Sequence, residues 1–176
     1  MTREELNAKY PCMANTELFQ HDNGGGWVEH PERVEASAFV AGLVSGNARV
    51  CGNARVFGDA QVSGDAQVYG NAQVSGNARV YGNARVYGDA LVYGNAQVSG
   101  NAQISATPWM ISLCRHTVVK CDGDVICIGC HVNTLAGWLD KYEAVGRMEG
   151  YTKEEIARYG AALKMIEQLT AVPVAA

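Results

Sequence analysis

Cysteine and histidine side chains near the C-terminal end are the residues whose chemistry could hold a metal ion. A two-residue turn at Asp122-Gly123 would join two antiparallel strands and place Cys114 opposite His131. The same register puts His116 and Cys127 on that sheet face, and such a set could hold zinc tetrahedrally. The spacing matches no standard zinc motif, however, and a one-residue shift of register would split the set. We therefore favour cysteines packed as small apolar residues and predict no metal and no other cofactor.

A second set of side chains could bind a ligand or a partner protein. Tyrosine offers a flat ring for stacking, and arginine offers a planar cation that binds carboxylate or phosphate. The predicted binding residues are Tyr69, Arg79, Tyr81, Arg85 and Tyr87. The alternative is that tyrosine suits any exposed strand and that arginine only prevents aggregation at strand edges.

A six-residue repeat must position these side chains. Valine recurs at every sixth residue from Val44 to Val98, Ile104 follows, and alanine comes after each Gly-Asn or Gly-Asp pair. On an α-helix this step would scatter the valines over three sides, so no apolar stripe results. In a strand, residues two apart share a face, so alanine and valine point inward and their neighbours point outward. Glycine with asparagine or aspartate supplies the positive φ of a sharp corner between strands.

This pattern, unbroken from Val44 to Gln103, resembles the hexapeptide-repeat family of triangular left-handed β-helices, in which three hexads make one coil. The resemblance covers about a third of the chain. Glycine stands third in the hexad here, where the family more often has it second, and left-handed winding is implied by the resemblance alone. The predicted fold class is mainly β: a triangular β-solenoid with a small α+β C-terminal domain.

Three hexads per coil sort the outward residues onto three faces, with coils about 4.8 Å apart. Face 1 has Arg49/Cys51, Gln67/Tyr69, Arg85/Tyr87 and Gln103/Ser105. Face 2 has Arg55/Phe57, Gln73/Ser75 and Leu91/Tyr93, and face 3 has Gln61/Ser63, Arg79/Tyr81 and Gln97/Ser99. Leu91 is unusual because the equivalent outward residues of the other hexads from Arg49 to Gln103 are arginine or glutamine. We predict a homo-oligomer that associates through Phe57, Leu91 and Tyr93, with a trimer preferred because similar β-helices form trimers.

Hexapeptide β-helices are often acyltransferases, so the resemblance makes an acyltransferase relative one alternative. Such enzymes generally use a histidine on the solenoid as general base. Residues 44–105 contain no histidine, and they contain no threonine for an ice-binding array. The four histidines of the chain are His21, His30, His116 and His131. We therefore predict no catalytic residue and favour a non-enzymatic protein.

Composition and charge restrict the compartment and the partners. The sequence has no apolar run of about 18 residues that could cross a bilayer, and its start lacks the features of a signal peptide, which predicts a cytoplasmic protein without a membrane partner. Residues 44–105 have four basic and three acidic side chains. This near neutrality argues against DNA mimicry and against binding of extended nucleic acid. Without a secretion signal, free thiols are favoured over disulfides for the six cysteines.

The segments that flank the repeat predict three units. These are an N-terminal helix, linker and capping coil at 1–43, the solenoid at 44–105, and a C-terminal domain at 106–176. Thr2 with Glu5 predicts a capping box for a short first helix. In the C-terminal domain, strands at Met110–Lys120 and Val125–Cys130 precede two amphipathic helices, so the predicted order is ββαα.

Two short sequence segments in this domain are similar to segments of a domain that follows such repeats in phage and prophage proteins. They are Arg115-His116-Thr117-Val118 and Ile128-Gly129-Cys130. The resemblance implies a phage or prophage protein in a bacterial host cell. We expect a binding and assembly protein with the solenoid as a rigid oligomerising scaffold. An alternative is a counter-defence protein that sequesters a nucleotide signal or blocks a host immune component. The expected partners are thus a second copy of the chain, a host protein or a small nucleotide ligand.

Overall fold

The N-terminal segment forms one short helix followed by an irregular first coil. The computed structural model describes residues 2–171, apart from the side chain of Cys12. The elements of this segment are helix α1 (Arg3–Lys9), a 3₁₀ turn (Pro11–Met13), strand β1 (Phe19–Gln20), strand β2 (Trp27–Val28) and a second 3₁₀ turn (Pro31–Arg33). The predicted capping box is confirmed, since the Glu5 N–H donates to Thr2 Oγ1 and the Thr2 N–H donates to the Glu5 carboxylate.

Each hexad of the repeat forms one two-residue strand. The strands are β3 (Phe39–Val40), β4 (Leu43–Val44), β5 (Arg49–Val50), β6 (Arg55–Val56), β7 (Gln61–Val62), β8 (Gln67–Val68), β9 (Gln73–Val74), β10 (Arg79–Val80), β11 (Arg85–Val86), β12 (Leu91–Val92), β13 (Gln97–Val98) and β14 (Gln103–Ile104). Each strand from β3 to β11 pairs in parallel with the third strand after it, as Arg49 does with Gln67. Three hexads therefore make one coil, and the predicted β-solenoid is confirmed.

The three faces correspond to three sheets. Face 1 consists of β5, β8, β11 and β14, and face 2 consists of β3, β6, β9 and β12. Face 3 is the six-stranded sheet β1-β2-β4-β7-β10-β13, in which β1 alone is antiparallel. From Ala48 to Ile104, the repeat alanines and valines and the final isoleucine are at most 1% exposed. The inward assignment of alanine and valine is therefore confirmed.

Glycine alone provides the positive φ of the corners. The repeat glycines from Gly46 to Gly100 have φ between +62° and +74°, and no other residue type has a positive φ in the described part of the chain. The asparagines and aspartates, which were expected to share this role, instead form side-chain ladders between coils. Asn53 Nδ2 donates to Asn71 Oδ1 at 3.3 Å, and Asn71 Nδ2 donates to Asp89 Oδ1 at 3.0 Å.

The residues that follow the solenoid form a four-stranded antiparallel meander and two helices. These elements are β15 (Trp109–Ser112), β16 (Thr117–Lys120), β17 (Val125–Ile128), β18 (His131–Thr134), α2 (Leu135–Met148) and α3 (Lys153–Ala171). The predicted order ββαα is therefore wrong in its strand count. The first predicted strand reverses between Ser112 and Thr117, which pair with one another, and β18 follows directly after a turn at Gly129 with φ +57°.

The meander lies between the solenoid and the two helices. Val119 and Cys127 pack against the solenoid core, whereas Val118 and Ile126 on the other sheet face pack against Trp138 and the helices. The Asp122 N–H donates to the Gln103 carbonyl at 2.7 Å, which ties the meander to the last strand of face 1. The C-terminal end of the solenoid core is thus covered by one sheet face. No helix within residues 2–171 is long and apolar enough to cross a membrane.

Helix α1 covers the N-terminal part of face 3. Lys9 forms an ion pair with Asp59, and Gln61 Nε2 donates to the Tyr10 hydroxyl at 3.2 Å. Leu43 points outward on this face and yet is only 5% exposed. The chain itself therefore occupies the outer surface of face 3 at its first coils.

Candidate binding surface on the solenoid

Two tyrosines stack on face 1. The outward column at the end of each face 1 strand is Cys51, Tyr69, Tyr87 and Ser105, so the two rings occupy neighbouring coils. Their centroids are 5.1 Å apart and their planes differ by 7°. The Tyr87 hydroxyl also donates to Asp122 Oδ2 at 3.4 Å, which connects the stack to the meander. The coil spacing thus holds the two rings parallel.

The predicted binding residues do not all lie on one face. Arg85 lies on face 1 in the same hexad as Tyr87, and its exposed guanidinium makes no hydrogen bond or ion pair with any described residue. Arg79 lies in β10 on face 3, and Tyr81 directly follows that strand. The Tyr81 hydroxyl donates to Gln97 Oε1 at 3.3 Å. A ligand flat against face 1 would therefore contact Tyr69, Tyr87 and Arg85 but not Arg79.

Face 2 combines a covered aromatic pair with exposed apolar side chains. The Arg55 guanidinium lies over the rings of Phe39 and Phe57, at 5.2 and 5.4 Å from their centroids. Phe57 is half-buried, whereas Leu91 is 38% and Tyr93 is 52% exposed. The sequence interpretation overlooked Phe39 and Arg55 in this cluster. The parallel register of Phe39 with Arg55 is what brings them together.

The hairpin register places the cysteines and histidines differently from the prediction. Val118 pairs with Ile128 and Val119 pairs with Cys127, so the register differs from the predicted one by a single residue. The cause is a three-residue turn, in which the Cys121 N–H donates to the Val125 carbonyl at 2.8 Å. Its central glycine has φ +64°. The predicted two-residue turn is therefore wrong.

The candidate zinc ligands are consequently separated. Cys127 is buried against the solenoid, with its Sγ 3.5 Å from Cys121 Sγ, whereas Cys114 is exposed. Hydrogen bonding to Cys127 and burial raise the pKa of Cys121, which keeps it a neutral thiol. His131 Nε2 lies 3.1 Å from Glu149 Oε1. Within residues 2–171, no group of three or more histidine, cysteine, aspartate or glutamate side chains is arranged to hold a metal.

The histidines lie outside the repeat and contact neighbouring polar groups or rings. His21 is buried, with Nδ1 3.2 Å from the Asn23 carbonyl oxygen. His30 Nδ1 is 3.2 Å from Glu32 Oε1. The His116 ring centroid is 6.4 Å from that of Tyr151 in the C-terminal domain. None of these contacts places an imidazole beside a face of the regular coils.

Comparison with known proteins agrees with the architecture. The family model described as the YdcK β-solenoid repeat matches residues 48–64, 72–88 and 84–100, which lie in the parallel coils. The chain is a β-solenoid repeat protein. No curated protein and no solved structure matches it.

Proposed function

We propose that this protein is a non-enzymatic binding and assembly protein of phage or prophage origin that acts in the bacterial cytoplasm. Its solenoid, for which the resemblance to hexapeptide-repeat proteins implies left-handed winding, serves as a rigid scaffold for a homo-oligomer. The trimer is the preferred state. The observation behind the proposal is the exposure of Leu91 and Tyr93 on face 2 of a solenoid whose ends are covered.

The closed ends favour side-by-side assembly over end-to-end assembly. At the N-terminal end, the first-coil core residues Val28 and Val40 are fully buried by the chain itself. At the C-terminal end, the meander covers the core and occupies the Gln103 carbonyl. An end-to-end partner would have to displace these elements, because the core and backbone groups of the terminal coils are already paired.

Face 2 offers the apolar surface for lateral association. Leu91 and Tyr93 are exposed in one hexad, and the Phe39–Arg55–Phe57 cluster lies toward the N-terminal end of the same face. Leu91 is 38% exposed, so burial of the remaining area against a partner stabilises an assembly by about 0.5–1 kcal/mol per copy. Cyclic symmetry repeats this contribution in every subunit.

Light scattering of variants at matched concentration tests the assembly. Leu91→Glu places a charge in the proposed interface and should shift the particle toward the monomer mass of 18.8 kDa. Gln97→Glu is the matched control, since it changes the equivalent position on face 3 beside Arg79 and should leave the mass unchanged. Both variants introduce glutamate, because an introduced arginine at position 97 would lie next to Arg79 and repel it. An unchanged assembly in a folded Leu91→Glu variant would remove face 2 as the interface.

The stacked rings of Tyr69 and Tyr87 favour a second candidate, a phage counter-defence protein that sequesters a nucleotide signal. Parallel aromatic rings stack well with planar ligands, and the nearby Arg85 is available for an anion. A native mass spectrum of protein purified from its bacterial host tests both candidates together. It reports stoichiometry for the first and a retained nucleotide for the second.

A further inference from the structure

A pocket of about 440 Å³ opens at the N-terminal end of face 1. It is lined by Glu32, Arg33, Glu35, Arg49 and Cys51. Its volume falls within the range of about 300–1,000 Å³ that is typical of small-molecule sites. The pocket lies beyond the Tyr69–Tyr87 stack, in the direction of the irregular first coil.

Two arginines line this pocket together. Val34 forms an isolated parallel bridge with Val50, and Arg33 and Arg49 are the residues that precede these two valines. Elsewhere on face 1 arginine alternates with glutamine, as Arg85 does with Gln67. Adjacent like charges on a sheet are destabilising, and an anion bound between them would remove that cost.

The guanidinium groups of these two arginines donate no hydrogen bond to a described residue, although Arg33 Nε forms a long ion pair with Glu32. Arg33 Nε is buried without a hydrogen-bond partner, because Glu32 Oε1 is 3.8 Å away. The Arg49 side chain is exposed, and its guanidinium makes no hydrogen bond or ion pair with any described residue. Buried donors in folded proteins almost always have an acceptor, so the Arg33 Nε–H is a donor that an anionic group in the pocket could use.

The carboxylates of the pocket are already held by donors of the chain. Glu35 Oε2 accepts from the Gly52 N–H at 2.8 Å and from the Ser37 hydroxyl at 3.4 Å. Glu32 Oε1 lies 3.2 Å from His30 Nδ1. Glu32 is thereby shared between His30 and the long ion pair with Arg33, and Glu35 is held by Gly52 and Ser37, so Arg49 is the cation of the pocket that has no acidic partner.

The ring of Tyr69 provides a flat surface next to these cations. One side of the ring stacks on Tyr87, whereas its neighbour in the column on the other side is the short side chain of Cys51. A planar group placed over Cys51 would lie one coil from Tyr69, about 4.8 Å away. That spacing repeats the 5.1 Å separation of the two tyrosine rings.

We infer that this pocket binds a planar aromatic anion, with its ring on the free face of Tyr69 above Cys51 and its anionic group on Arg33 and Arg49. This inference deepens the second candidate function, because a nucleotide belongs to the ligand class. It does not depend on the proposed assembly through face 2. The pocket requires residues from one copy of the chain.

Isothermal titration of the full chain with four probes tests the site. AMP has a ring and a phosphate, adenosine has the ring alone, ribose 5-phosphate has the anion alone, and 4-hydroxybenzoate is a ring with a carboxylate. AMP or 4-hydroxybenzoate should bind at least tenfold more tightly than adenosine and ribose 5-phosphate, since only they engage both parts of the pocket. The tighter-binding probe of these two shows whether the site prefers a phosphate or a carboxylate as the anionic group.

Two variants are designed to keep the fold, because each introduces a residue that the repeat already has at the equivalent position. Arg49→Gln matches Gln67, and Tyr69→Ser matches Ser75. Each should weaken binding of the tighter probe by roughly tenfold or more, as expected for loss of a charged hydrogen bond or of a stacking surface. The control variants Arg79→Gln and Tyr81→Ser on face 3 should leave the affinity unchanged.

Two results would overturn the inference in different ways. If AMP binds and neither Arg49→Gln nor Tyr69→Ser weakens it, the site is wrong, although the nucleotide-binding candidate survives. If no probe binds at millimolar concentration, the site and that candidate both fail. The light-scattering test of assembly through face 2 is unaffected by either result.

Discussion

The rings of Tyr69 and Tyr87 stack with centroids 5.1 Å apart, although no turn or loop connects them directly. Their separation is a consequence of the 18-residue coil, which places every third hexad in register. The stacking contact therefore stabilises the solenoid fold, in addition to forming part of its outer surface. Offset-stacked aromatic pairs stabilise proteins by about 0.5–1.5 kcal/mol beyond their buried area.

A double-mutant cycle measures that contribution. The variants are Tyr69→Ser, Tyr87→Ser and the double variant, compared by urea unfolding at one protein concentration. We expect a coupling energy of about 0.5–1.5 kcal/mol. The same cycle on Tyr81 and Tyr93, which lie on different faces, should give a coupling near zero. Equal coupling in the two cycles would show that the ring contact contributes nothing.

Substitution of a core valine should prevent folding. Val80→Asp introduces a carboxylate at a position that is 0% exposed, in a column of alanines and valines without a polar partner. Gln97→Glu changes an outward residue and should alter stability by no more than about 0.5 kcal/mol. Circular dichroism melts compare the two variants. Similar melting of both would contradict the inward position of valine.

Alanine substitution at two corner glycines should distinguish the free-energy cost of a left-handed backbone from the cost of a steric clash with the next coil. Gly70 has φ +74°, and a Cβ there would lie 3.1 Å from the Gly88 nitrogen of the next coil. Gly94 has φ +66° and no atom within 4 Å of the same point. Alanine at either position costs about 1–2 kcal/mol for the left-handed backbone. Chemical denaturation should show Gly70→Ala to be the less stable variant, and the reverse order would mean that coil spacing adapts freely.

The contact between Arg115 and Glu155 should make the C-terminal domain sensitive to acid. Arg115 donates to both Glu155 oxygens at 2.9 and 3.0 Å, and this contact, followed by the Thr152 N–H, lowers the pKa of Glu155. Because the folded pKa lies below the unfolded value of about 4.3, the stabilisation is present above that pH and is lost as the pH falls through the folded pKa.

Thermal melts at pH 7 and pH 3 test this prediction. Arg115→Gln should lower the melting temperature at pH 7 and reduce the further loss between the two pH values. Arg147→Gln removes an exposed pair with Glu143, so it should leave the pH dependence of the wild-type chain intact. A wild-type pH dependence in the Arg115 variant would assign the acid sensitivity to other carboxylates.

The coiled architecture of the solenoid could be predicted from the sequence because each of its features depends on residues that are close together in the chain. A six-residue period is even, so strand alternation alone assigns Val86 inward and Tyr87 outward, and glycine marks each corner. Each coil contacts mainly its neighbours, so the same pattern repeats without information from distant parts of the chain. The three faces, and with them the column that contains Tyr69 and Tyr87, follow directly.

Tertiary structure decided the remaining features, because they depend on contacts between segments that are distant in sequence. The hairpin register depends on one extra residue in the turn after Cys121, and Asp122 in that turn donates to the Gln103 carbonyl at the end of the solenoid. The proximity of Arg33 to Arg49 depends on an irregular coil that the hexad pattern does not describe. A periodic sequence therefore determines the repeated architecture, whereas the caps and the candidate pocket arise where the period ends and packing selects the register.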